Sequence, residues 1–233
     1  MSLVVENLVK IYGEQKAVNN ISFTVQQGEI VGFLGPNGAG KSTTMKIITG
    51  FLKASSGKVL VNNLNVENDP IAVKKQIGYL PEANPLYYDM YVKEYLQFIA
   101  GIHQLKNISE QVANVIELVG LQIEQTKKIG QLSKGYKQRV GLAAALIHNP
   151  SVVILDEPTS GLDPNQIIEI RNVIKQQGIN KTVLFSSHIL QEVEAVCDKI
   201  IIINKGSIVA NNSLQNLKAE FGSLENAFRK LTN

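Results

Sequence analysis

Gly35-Pro36-Asn37-Gly38-Ala39-Gly40-Lys41-Ser42 fills every fixed position of the phosphate loop G-x-x-x-x-G-K-[ST]. The run before it, Ile30-Val31-Gly32-Phe33-Leu34, reads as a buried strand, and Ser42 to Thr49 reads as the helix that follows. That order suits a nucleoside triphosphate. Glycines let backbone N–H groups close around phosphate oxygens, and the helix N-terminus adds a favourable dipole. Lys41 is expected to reach the β- and γ-phosphates and Ser42 to offer its hydroxyl to Mg²⁺. A Gly-rich turn that matches by accident is the competing reading, and the flanking strand and helix argue against it. The glycine order does not fit the dinucleotide turn G-x-G-x-x-G. The residues point to a protein that binds ATP or GTP.

Composition sets the frame. At 233 residues, with 18% charged side chains and a formal net charge of +3, the chain reads as one α/β domain with no field favouring nucleic acid. The single cysteine, Cys197, excludes an internal disulfide and reads as a small core residue. The opening Met1-Ser2-Leu3-Val4-Val5-Glu6 lacks a basic n-region and a long apolar core, and no run nears the ~18 apolar residues of a membrane span. A soluble, cytoplasmic protein is expected.

Residues 2–12 and 17–26 alternate apolar and polar positions like antiparallel strands. A strand led by Gly57 and a short one at Ile77-Gly78-Tyr79-Leu80 follow. From about 85 to 150 the pattern becomes helical, with Tyr91–His103 and a helix capped by Ser109 and closed by Gly120. Strand and helix then alternate to a hairpin turn at Asn204-Lys205-Gly206. Two surface helices, Ser213–Glu220 and Ser223–Leu231, are expected at the C-terminus. His103 and His148 read as structural.

Val152-Val153-Ile154-Leu155 is a buried strand that delivers Asp156 and Glu157 at its end. Adjacent acids make poor core residues, because burying unpaired charge is costly. Beside a phosphate loop, Asp156 suits the Mg²⁺ shell and Glu157 the attacking water. Solvated acids at a strand-to-turn junction are the alternative.

The ordered set of motifs resembles the ATP-binding subunits of ABC transporters along nearly the whole chain. It comprises Tyr12, GPNGAGKST at 35–43, LSKGYKQRV at 132–140, VVILDEPTSGLD at 152–163 and His188 in SSH. The resemblance implies a phosphate-loop ATPase fold with a parallel core sheet, an antiparallel β subdomain and a helical insert within a single domain, 1–233. It implies an ATPase that binds ATP and Mg²⁺, pairs head to tail with a second copy or a paralogue, and energises a separate integral membrane subunit from the cytoplasmic face. Gly35, Pro36, Asn37, Gly38, Ala39, Gly40, Lys41, Ser42 and Thr43 would bind ATP, and Tyr12 would stack on adenine. Ser133 and Gly135 would meet the γ-phosphate held by the other subunit, Asp163 would couple the two sites, and His188 would contact γ-phosphate.

Two departures stand out. The common signature LSGGQ has Lys134 and Tyr136 here, and the usual Gln after the Ile77–Leu80 strand is Glu82, a third candidate for the metal beside Ser42 and Asp156. The Pro81-Glu82 and LSKGY forms resemble the subset serving multidrug, sodium and gliding-motility type exporters. A soluble ABC-type ATPase of translation or DNA repair is the alternative. One cassette and the short stretch between Glu82 and Leu132 speak against it.

Overall fold

The computed structural model describes residues 2–233, so Met1 of the stretch read for a leader lies outside it. The chain opens with β1 (Leu3–Tyr12), β2 (Gln15–Val25) and β3 (Ile30–Leu34), then α1 (Lys41–Ile48), β4 (Ser56–Val61), β5 (Leu64–Asn65), α2 (Pro70–Lys74) and β6 (Ile77–Leu80). Three helices follow, α3 (Val92–Ile102), α4 (Ile108–Leu118) and α5 (Lys134–Leu146). The remainder is β7 (Val152–Asp156), α6 (Pro164–Gly178), β8 (Thr182–Ser187), α7 (Leu190–Val196), β9 (Lys199–Asn204), β10 (Ser207–Ser213), α8 (Leu214–Phe221) and α9 (Leu224–Thr232).

Two sheets result. The antiparallel one runs β2-β1-β4-β5, and the larger runs β10-β9-β3-β8-β7-β6, parallel except for the terminal β9–β10 hairpin. Strands buried on both faces read as continuous apolar runs, and alternation then divides them between two cores. Val152 and Ile154 of β7 join one core with α1 and the antiparallel sheet, while Val153 and Leu155 join the other with the helices. This places β3, with the phosphate loop at its C-terminal end, at an inner position of the larger sheet.

Several local readings change. Helix α4 starts after Asn107, not at Ser109, because Asn107 takes the left-handed turn at φ +53 that asparagine tolerates. Helix α5 starts at Lys134. The Ser133 hydroxyl accepts the Tyr136 N–H at 3.4 Å, so Gly135 lies inside the first turn. The C-terminal helices are not merely superficial: Leu217, Leu224 and Ala227 are buried against the core. The short elements β5 and α2 and a 3₁₀ turn at Ile129–Gln131 carry too few residues to show a period.

His103 and His148 meet where α3 and α5 end. Their rings stack at 3.9 Å with 8° between planes, and His148 Nε2–H donates to the Ile77 carbonyl at 3.1 Å. Burial first, then His103 and Lys181 beside it, push His148 down to about 4, although the Ile77 bond opposes them. Burial and Lys75 push His103 down too. The unfolded chain therefore binds more protons than the folded one below the ordinary histidine value of 6.5. Stability from the neutral pair is complete above that value and is lost as the pH falls toward about 4. The melting temperature should fall over this window and fall less steeply in His148→Gln. Parallel pH curves for the two proteins would contradict this.

Candidate functional site

The phosphate loop joins β3, every residue of which is buried, to α1. Gly40 takes φ +107, and a Cβ there would collide with the Ala17 carbonyl oxygen, so the loop can seat α1 this way only with glycine. Lys41, 6% exposed, is the first residue of α1 and donates to the carbonyls of Gly35 (2.7 Å) and Pro36 (3.3 Å). It is a partnered lysine and not a free loop residue. Burial pushes its pKa down, against the opposing pull of Glu157, Asp156 and Glu82. Thr44 Oγ1 donates to the Gly40 carbonyl and ties the first turn of α1 to the loop.

Strand β7 brings in the acids. Successive strand residues point to opposite faces. Asp156 ends β7, and the next residue, Glu157, takes a left-handed φ of +51. Such a conformation in a residue other than glycine costs energy and marks candidate functional positions. Asp156 Oδ1 accepts from Ser42 Oγ at 3.2 Å and from Ser186 Oγ at 2.6 Å, while Ser186 Oγ accepts the Glu157 N–H at 2.9 Å. Glu157 lies 4.0 Å from Lys41 Nζ, and its other oxygen meets His188 Nδ1 at 2.8 Å.

A cleft of about 490 Å³ is lined by Tyr12, Gln15, Ala17, Asn37, Gly38, Gly40, Lys41, Ser42, Thr43, Glu82, Glu157 and His188. Glu82, exposed beyond β6, also lines an adjoining cavity with Ser42, Asp156, Phe51 and Tyr79. Tyr12 stands half-exposed at the rim, with Lys10 Nζ 5.1 Å from its ring centre. Gly35 and Pro36 act through their carbonyls on Lys41, and Ala39 is buried. Ser133, Gly135 and Asp163 do not line this cleft. Asp163 caps α6 by accepting the Gln166 N–H at 3.0 Å, and Ser133 caps α5.

Sequence reading missed Ser186, the hydroxyl that joins Asp156 to the Glu157 backbone; its only signal was its place beside His188 in SSH. It also missed Glu192, a buried acid of α7 that accepts the hydroxyls of Thr159 and Ser187 and so ties the loop after β7 to the end of β8.

The donor set suits Mg²⁺, a hard cation that takes one or two carboxylates plus substrate phosphates and water. A hydroxyl and a buried carboxylate already converge at Ser42 and Asp156, and among the described residues no cluster of three His, Cys, Asp or Glu competes to hold a metal.

Comparison with known proteins identifies the family. The family model described as ABC transporter matches residues 18–160. The chain is 40% identical to the bacitracin transport ATP-binding protein BcrA of Bacillus licheniformis, over 94% of this chain and 72% of that protein. It is 37% identical to the linearmycin resistance ATP-binding protein LnrL of Bacillus subtilis, again over 94% and 72%. A solved ATP-binding subunit of an ABC transporter superposes with a TM-score of 0.92 at 30% identity, over the whole of both chains. A dimeric ATP-binding cassette in a post-hydrolysis state with ADP and Pi superposes at 0.83 with 25% identity, over 91% of this chain and 98% of that one. The chain is an ATP-hydrolysing member of the ABC transporter ATP-binding family.

Proposed function

We propose that two copies of this chain, or one copy and a paralogue, close head to tail around two ATP molecules and drive a membrane-embedded exporter from the cytoplasmic face. The observation that carries this reading is the hydrogen-bonded line from Ser42 through Asp156 and Ser186 to Glu157, ending at His188. Export is supported by what the relatives are named for, bacitracin transport and linearmycin resistance. Pairing is supported by the dimeric cassette of the same fold. Among the described residues no helix is long and apolar enough to cross a membrane.

In this reading adenine lies on the Tyr12 ring and the phosphates enter the loop of residues 35–43. Lys41 exchanges its carbonyl partners for β- and γ-phosphate oxygens, gaining anions that offset its burial. Ser42 and Asp156, with Glu82 alongside, would hold Mg²⁺, which would supply charge neutralisation for the phosphates. Glu157 takes the proton of the attacking water. His188, held through Nδ1 by Glu157, faces the γ-phosphate. Ser133 and Gly135 meet the γ-phosphate of the other copy, and Asp163 joins the two sites.

Glu82 tests the link to the membrane. A carboxylate in both the cleft and the adjoining cavity adds negative charge near the metal. In Glu82→Gln the Mg²⁺ concentration for half-maximal turnover should rise about threefold, as for the loss of an exposed charge contact. Stimulation of turnover by a co-reconstituted membrane subunit, measured in vesicles, should fall further than basal hydrolysis. Unchanged Mg²⁺ dependence and unchanged stimulation would make Glu82 a bystander, and a membrane protein that never alters wild-type turnover would count against the exporter reading.

A further inference from the structure

We infer that Lys134, the cation that replaces a glycine in the signature, is an additional ligand for the γ-phosphate bound by the partner copy. This rests on the head-to-tail reading above. Lys134 is exposed at the first position of α5, where the helix dipole opposes a positive charge. Among the described residues no carboxylate lies within ion-pair reach of its ammonium and no acceptor is hydrogen-bonded to it. Nearby acids are already committed. Asp163 caps α6 and Glu157 holds His188.

The ammonium packs instead against backbone. It lies directly over Gly161, in the loop between Glu157 and Asp163, where a Cβ would collide with Nζ. Gly161 has φ +72, so its lack of a side chain provides both the turn and the room for Lys134. One residue on, Gly135 accommodates the Gln166 amide in the same way. The start of α5 therefore touches the loop before α6 at Gly161 and the first turn of α6 at Gln166, with an unneutralised cation beside them. An anion brought to Ser133 and Gly135 by a second copy arrives beside that cation, which relieves the unfavourable placement against the α5 dipole. Closure then gains a charge-assisted contact that a glycine signature lacks, and it discriminates ATP from ADP through the γ-phosphate.

The test compares ATP turnover of the full chain over a range of ATP and salt concentrations for wild type, Lys134→Met, Lys134→Arg and Ser133→Arg. Fluorescent-ATP binding and thermal melts run in parallel. Lys134→Met should lose about tenfold in turnover at low ATP, the size of one charged contact, and should lose part of the salt dependence. Its own ATP binding should stay within about twofold, because Lys134 is absent from the cleft of its own chain. Lys134→Arg should retain wild-type behaviour, which a role confined to packing on Gly161 would not predict. Wild-type turnover and salt response in Lys134→Met, with Ser133→Arg inactive, would overturn the Lys134 assignment alone. Full activity in Ser133→Arg would overturn the head-to-tail reading and this assignment with it.

Discussion

Glu157→Gln is expected to cut ATP turnover about a thousandfold while leaving ATP binding intact, within the range for removing a positioned general base. The amide keeps the shape of the carboxylate but cannot accept a proton. It also loses a charge facing Lys41 at 4.0 Å and His188 at 2.8 Å, so nucleotide affinity should hold or rise slightly. The backbone arrangement does not depend on that carboxylate, because Ser186 holds the Glu157 N–H. Single-turnover and steady-state measurements separate a chemical defect from slow product release. Turnover within tenfold of wild type would take the proton-accepting role away from Glu157.

Lys41→Ala has the second large effect, a loss of ATP affinity of about a hundredfold or more. Each charged hydrogen bond to phosphate contributes about 1.5–3 kcal/mol, and 1.4 kcal/mol is tenfold in affinity. Folding should survive. The variant loses bonds to the Gly35 and Pro36 carbonyls but also removes an almost fully buried cation, so the two changes offset. A melting temperature within about 5 °C of wild type, beside lost fluorescent-ATP binding, is the expected pair of results. A collapsed melt would make Lys41 a structural residue first.

Much of the architecture was legible because it rests on local pattern. The loop at 35–42 announces itself through fixed residue types, β3 and β7 through apolar runs, and the final hairpin through Asn204-Lys205-Gly206. Boundaries were less legible where a polar residue competes with its neighbours for the cap. Ser109 looked like the start of α4, yet Asn107 takes the turn because its backbone accepts a left-handed φ. Helix α5 hid its start behind Gly135, a poor helix former that is acceptable in the first turn.

The site divides the same way. Asp156 and Glu157 were visible as acids at a strand end. Their link to each other runs through Ser186, a long-range contact from β8 that no spacing reveals, and Glu157 takes its place at a φ of +51°. Lys41 was visible as a phosphate ligand, but its carbonyl partners and burial were not. The Lys134–Gly161 contact joins two motifs that are separate in sequence, and only the packing of α5 against the loop before α6 brings them together.

The mass of Glu157→Gln in solution tests the central claim most directly. A single copy has a mass of 25.5 kDa. Light scattering should give that mass without nucleotide and with ADP, and twice that mass with ATP, because closure needs the γ-phosphate and the variant cannot remove it. Adding Ser133→Arg to the variant should return the mass with ATP to that of one copy. A Glu157→Gln protein that binds ATP tightly and keeps the single-copy mass at every concentration tested would contradict an ATPase that works by closing two copies on ATP.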